Sequence, residues 1–384
     1  ETEGVRTDAR VCNLSYLQTD WYIDQMRRPA YDSPSLPISW TRLQYVTGTR
    51  EGIPVQPDAL QQVIDYYKDS PEDLKQMLGD NPYELKNIIR HWVLNDNPDL
   101  QIFPTDSIVV TVDKEAVKRS GMMIAADSIP DVMHISLKGK RAVYKSEMMM
   151  LEMISQANWE RPLYMSTTVG PDNYGHLGDN FVQEGLACRI TPFDTKQSGR
   201  TIDSERMYNN MMNKFKYGGL KENPDIYLDE IRMCYTHRRL FNQLAQQLLK
   251  EGQKDKALKV LQRAEEEIPG SIVPHEAFYG HSLELADAWL ALGHKAEAEK
   301  LLNAVGQNAR EYIEWYLSLN TQRLLQSSRE CLMQIYILND IAKTWEPIEK
   351  SGDLSHGSEQ LCFTLPPERH ELVILSETRR DPCS

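Results

Sequence analysis

The sequence has no long apolar run. No window approaches the roughly 18 consecutive apolar residues of a membrane helix, and mean hydropathy is -0.53, so no spanning helix is read among its 384 residues. Positive charge is also scarce: Lys+Arg 43 against Asp+Glu 56 leaves a net charge of -13. The basic clusters Arg27-Arg28, His237-Arg238-Arg239 and Arg379-Arg380 are short, and an acidic chain without a basic stripe repels phosphate backbones, which excludes nucleic acid as the expected partner. The six cysteines (Cys12, Cys188, Cys234, Cys331, Cys362, Cys383) form no CxxC and no regular spacing. That argues against a disulfide scaffold or zinc ribbon and for small apolar core residues. The one adjacent glycine pair, Gly218-Gly219, lacks phosphate-cradling spacing and reads as a turn. His275-Glu276 is followed by His281, six positions from the first histidine, which puts the imidazoles on different helix faces. No metal or cofactor is expected, and no Ser/His/Asp or paired-carboxylate spacing stands out.

What is present is an ordinary globular composition, 41% hydrophobic and 26% charged, in a chain long enough for two or three domains. Residues 1–200 alternate strand and helix signals. Strands are expected at 11–14, 43–47, 107–112 and 162–169, with a hairpin of 132–137 and 141–144 around Lys138-Gly139-Lys140. Thr19 is placed to cap a short helix. Ser70-Pro71, Asn81-Pro82 and Asp113 mark further helix starts, and Ser146 opens a Met-rich helix ending near Asn158 whose methionines read as core filler. Helix, short connection and strand in succession predict a layered α/β domain, its strand order open.

Residues 201–346 keep a helical period and predict an all-α domain. Ala245, Gly252, Ala257, Ala264 and Pro269 have tetratricopeptide spacing, and Ala286, Gly293 and Ala298 repeat the first positions 41 residues on. Such small residues allow close helix crossing. Repeats are expected near 238–269 and 279–306, followed by a helix pair over 311–325 and 329–345. Residues 347–384 read as an extension, with a hairpin of 360–365 and 371–375 and a mobile tail.

Candidate ligand residues fall in three places. Asp20, Trp21 and Tyr22 put a carboxylate and an aromatic ring at a helix start after an expected strand, where open α/β sheets bind ligands; a dipole-favoured Asp and a core Trp are the plainer account. Trp159 and Arg161 either gate a site or mark a helix stop. His176 and Asp179 lie in a glycine-rich loop, the kind of segment that carries binding residues.

Several segments resemble a known family in their wording. Glu3-Gly4-Val5-Arg6-Thr7-Asp8 leading into Leu17-Gln18-Thr19-Asp20-Trp21-Tyr22, then Asn158-Trp159-Glu160-Arg161-Pro162, Glu184-Gly185-Leu186-Ala187-Cys188-Arg189, Met207-Tyr208 and Tyr227-Leu228-Asp229-Glu230, are similar to the soluble region of a bacterial family of polytopic membrane proteins. That family was long catalogued as a domain of unknown function, and its vertebrate relative is a protein O-mannosyltransferase. The resemblance covers roughly residues 1–269. It implies a multi-spanning glycosyltransferase using a lipid-linked sugar, with this region on the periplasmic, extracytoplasmic side of a bacterial inner membrane and packed on its own N-terminal membrane domain. The catalytic carboxylate is then expected in the membrane portion, so no catalytic residue is assigned here. The start at Glu1, without Met, and the early strand-like run point to a cut from a longer polypeptide. In the glycosyltransferase reading the helical repeats bind acceptor polypeptide or another protein; a free-standing periplasmic tetratricopeptide scaffold with no link to catalysis is the second reading, and a soluble carbohydrate-active enzyme using Asp20 and Asp179 the third.

Overall fold

The structure, a computed structural model, describes residues 7–47, 52–122, 129–218, 220 and 228–350, without the side chains of 228, 229 and 344–350. The chain divides into two compact units, Glu1–Ala304 and Val305–Ser384.

The first unit opens with a 3₁₀ turn at Ser15–Gln18 and helix α1, Asp20–Met26. No strand forms at 11–14. Asn13 Oδ1 accepts from Tyr16 N at 3.2 Å, which bends the run into a turn instead. Helix α2, Arg42–Thr47, replaces the strand expected at 43–47, for a reason visible in hindsight. Gln44 Oε1 accepts from Thr41 N at 2.8 Å while Thr41 Oγ1 accepts from Gln44 N at 3.4 Å, a reciprocal capping box that starts a helix.

The chain continues through β1 (Ile53–Pro54), α3 (Ala59–Tyr66), α4 (Pro71–Leu78) and α5 (Leu85–Ile88), the last extended by a π turn over Ile89–Val93. Strand β2 (Ser107–Thr111) leads into α6 (Lys114–Arg119), whose cap Asp113 accepts from Ala116 N at 2.9 Å as expected. Then come β3 (Val132–Ser136), β4 (Ala142–Val143), α7 (Lys145–Ala157), β5 (Tyr164–Ser166), β6 (Phe181–Gln183), β7 (Ala187–Ile190), α8 (Thr195–Ser198) and α9 (Ser204–Asn209).

The strands make three small antiparallel sheets, β1 with β4, β2 with β3, and β5, β7, β6 in that order. The layered α/β arrangement is therefore corrected to a mixed one, small antiparallel sheets packed among helices. The 132–144 hairpin does not form. Its turn is there, Lys140 N donating to Leu137 O at 3.0 Å, but β3 runs to β2 and β4 to β1. Burial decides this: Met133 and Ile135 pair with Val110 and Ile108, all inside the core, and Val143 pairs with Ile53.

The core is centred on α7, where Met148, Met149, Met150, Leu151, Met153 and Ile154 are all buried, as a helix surrounded by other elements requires. Three polar side chains fasten residues 7–47 to this region. Lys145 Nζ pairs with Asp20. Glu152, fully buried, accepts from Ser39 N at 2.8 Å and Ser39 Oγ at 2.6 Å. Arg161 donates to Ser35 O at 2.5 Å and to Pro34 O at 3.3 Å.

Helices α10 (Leu228–Lys250), α11 (Lys254–Glu267), α12 (Ser282–Ala291) and α13 (Lys295–Ser318) follow. Ala245, Ala257, Ala264, Ala286 and Ala298 are buried, and the α10–α11 and α12–α13 turns hold Gly252 and Gly293 at φ 75° and 83°, where L side chains are strained. Buried Arg238 donates to Ile268 O, Val273 O and Pro274 O at 2.8–3.0 Å, giving partners to the carbonyl of the α11 cap residue and to two in the connection that follows.

In the second unit α13 runs on unbroken through the start expected at 311, followed by α14 (Thr321–Gln326) and α15 (Ser328–Lys350). Val305, Ala309 and Ile313 of α13 and Cys331, Ile337 and Leu338 of α15 are buried there. The hairpin and tail expected in 360–384 lie outside the described residues.

Candidate functional site

A groove of about 830 Å³ opens on the first unit. One wall is residues 130–136, strand β3 and the two residues before it; the other is built from His176, Asp179 and Asn180 and from the segment Pro192 to Arg200. The second wall is held firmly. Leu177 is fully buried, and Tyr174 packs edge-on against Phe181 at 4.9 Å. Gly175 is left-handed, at φ 55°, a backbone that favours glycine, and a Cβ there would also push aside the Met150 methyl at 2.3 Å. Thr191 N donates to Asn180 O at 2.9 Å, Asn180 Nδ2 to Phe193 O at 3.2 Å, and Thr195 Oγ1 to Asp179 O at 2.8 Å. Asp194 caps α8 by accepting from Gln197 N at 2.9 Å.

His176 stands in this wall at φ 63°, a rare conformation for a residue with a side chain. The side chains of His134, His176 and Asp179 are exposed, and no hydrogen bond or ion pair engages them among the described residues. Asp131 is paired with Lys114 at 2.7 Å. The groove thus presents two imidazoles and a carboxylate to a visitor. No group of three or more His, Cys, Asp or Glu that could hold a metal ion occurs among the described residues.

The other sequence candidates lie elsewhere. Asp20 is paired with Lys145. Trp21 is 57% exposed and meets Tyr16 at 5.8 Å and Tyr22 at 5.5 Å. Tyr22 is buried; its hydroxyl accepts from Asn13 N at 2.7 Å, and burial raises its pKa. Trp159 is buried with its Nε1 donating to Thr111 O at 2.7 Å, and Arg161 makes the backbone bonds described above. Asn158 and Trp159 are consecutive left-handed residues, at φ 51° and 61°, so the helix stop is a sharp reversal locked by the indole. Of the seven candidates, His176 and Asp179 line the groove. His134 was missed, although its place on the polar side of an alternating strand was readable.

The segment Glu184 to Arg189 contributes to a buried ionic cluster. Glu184 accepts from Tyr164 OH at 2.8 Å and faces Arg189 Nη1 at 3.7 Å and Arg206 Nε at 3.4 Å. Burial, then the Glu184 charge, raises the Tyr164 pKa. Burial followed by the same charge pushes the Cys188 thiol up to about 11. Arg189 Nη1 also donates to Ser120 O at 3.2 Å, and its guanidinium lies 5.8 Å from the Tyr164 ring centre. A buried ion pair of this kind fixes geometry more than it adds stability.

No helix among the described residues is long and apolar enough to cross a membrane. No curated protein and no solved structure matches the chain. Residues 1–210, which contain the whole groove and the Glu184 cluster, match the family of TMEM260-associated domain 2, and the chain belongs to that family, a domain linked to a membrane protein.

Proposed function

We propose that this chain is the extracytoplasmic part of a membrane glycosyltransferase and binds the acceptor polypeptide rather than performing the transfer. The carrying observation is that the family match covers the region holding the groove. Supporting it, the groove offers hydrogen-bonding imidazoles and a carboxylate on a rigid wall, suited to binding. The segments quoted from the sequence resemble a family whose vertebrate relative transfers mannose to proteins. In this reading the membrane portion supplies the lipid-linked sugar and the catalytic carboxylate, and this region packs against it.

The test is transfer by the membrane-embedded protein. Replacing His176 and Asp179 by Ala should raise the acceptor KM roughly tenfold with kcat nearly unchanged, the sign of lost binding. The soluble chain alone should transfer nothing. Unchanged KM, or transfer by the soluble chain, overturns the proposal.

A second reading rests on the buried alanines and left-handed glycines of α10 to α13, which support a tetratricopeptide-like scaffold that holds a partner protein. Pull-down of a defined partner by residues on these helices, unaffected by groove substitutions, would favour it.

A further inference from the structure

Strand β3 has a free edge. Val112 N donates to Asp131 O at 2.9 Å and Leu137 N to Asp106 O at 2.7 Å, and the register between them pairs Val110 with Met133 and Ile108 with Ile135. Residues 131, 133, 135 and 137 therefore turn their backbone groups toward β2. Antiparallel pairing alternates, so the N–H and C=O of Val132, His134 and Ser136 point the other way. Among the described residues no strand or backbone group pairs with them.

Exposed edges are usually covered or blunted, because they template unwanted pairing. Here residues 130–136 form one wall of the groove, with the rigid His176 and Phe193 wall opposite. The groove between them, about 830 Å³ in volume, lies beside that edge. Even Ile135, whose side chain is buried, lines the groove, as expected where the groove follows the strand's edge and not only its outer face.

We propose that the edge of β3 takes up an extended polypeptide as a third strand, paired through the backbone of Val132, His134 and Ser136. Such strand addition draws affinity from main-chain bonds and selectivity from alternate side chains. A five-residue strand offers about 17 Å of edge. With Asp131 paired to Lys114, Asp179 and Asp194 still outnumber Arg200 along the groove, so the incoming segment is uncharged or basic, with small polar or β-branched side chains. The inference deepens the acceptor-binding reading by naming the form in which the acceptor is held. It rests on that reading only for the peptide's identity.

The experiment adds an alternating threonine–valine heptapeptide to the full chain and follows amide hydrogen exchange residue by residue. Exchange at Val132, His134 and Ser136 should slow by about tenfold or more, with Met133 and Ile135 protected already. Blocking alternate amides of the peptide by N-methylation should weaken binding about tenfold when they lie on the pairing edge and leave it intact when they lie on the other. His134→Pro removes an N–H that the β2 ladder does not use, so the fold should survive by circular dichroism, with peptide affinity lost. If His134→Pro does not fold, the methylated pair decides. No binding, equal binding of both methylated peptides, binding without slowed exchange at the three amides, or slow exchange there in the free chain overturns the proposal. Peptide pairing together with sugar transfer that ignores His176 and Asp179 would sink the functional reading and leave the strand addition standing.

Discussion

Residues 7–210 and helices α10 to α12 solve the same packing problem by different means. The helices cross on small side chains such as Ala257 and Ala286, both fully buried, and their turns are made by glycine. The first region has short elements and spans its gaps with long polar side chains. Trp159 reaches Thr111, Arg161 reaches Ser35, Arg189 reaches Ser120 and Arg206 reaches Gly121, each bond joining segments dozens of residues apart. Regular helices satisfy their own backbone; irregular chain must have it satisfied from elsewhere. The difference teaches that the first region depends on a few polar side chains whose removal leaves buried groups unpaired, whereas the helices depend on close contacts spread along their length.

This contrast is open to direct attack. Arg189→Met should have the largest effect, about 3 kcal/mol of stability by urea denaturation, because Glu184 stays buried with one cation fewer. Ala257→Leu should cost about 1–3 kcal/mol through overpacking between α10 and α11; if it costs more than Arg189→Met, the comparison breaks. Gly293→Ala should cost about 1 kcal/mol, since its Cβ meets open space and only the left-handed backbone resists.

A pH measurement sharpens the helical side. Burial pushes the Glu265 pKa up, but the His275 hydrogen bond and charge, then Lys300, outweigh it and hold the carboxyl below its ordinary value. Its contribution is therefore full above the unfolded-state pKa and is lost as pH falls through the lower folded value. Glu265→Gln should lower stability at neutral pH, where that contribution is full, and flatten the acid limb over which it is lost. The smallest effect belongs to His134→Ala, within about 0.5 kcal/mol, as for exposed groups without partners. A larger loss would make His134 part of the framework, not of the groove.

Legibility followed the same divide. The methionine helix α7, the Asp113 cap, strand β2 and the glycine turns of α10 to α13 could be read because local pattern determines them. The runs at 11–14 and 43–47 could not, since a run of four or five residues with three apolar side chains suits a strand or a helix equally, and Thr41 with Gln44 settled the second. The Lys138-Gly139-Lys140 turn was readable while its pairing was not, because β3 and β4 choose partners far along the chain. Asp20 suggested a ligand site from its neighbours alone; its partner Lys145 lies 125 residues away. Half the groove was visible as His176 and Asp179, and the rest needed β3 to be placed beside them.

The fastening of residues 7–47 bears on how the molecule is assembled. Leu17, Ile23, Trp40 and Tyr45 of this segment are fully buried, and Asp20, Ser35 and Ser39 meet charged anchors on or just after α7. Such a segment is a tethered guest, and the rest of the first unit is its host. What the covalent link contributes is a high effective concentration rather than any contact, so host and guest supplied as two separate chains should still find one another and rebuild the core.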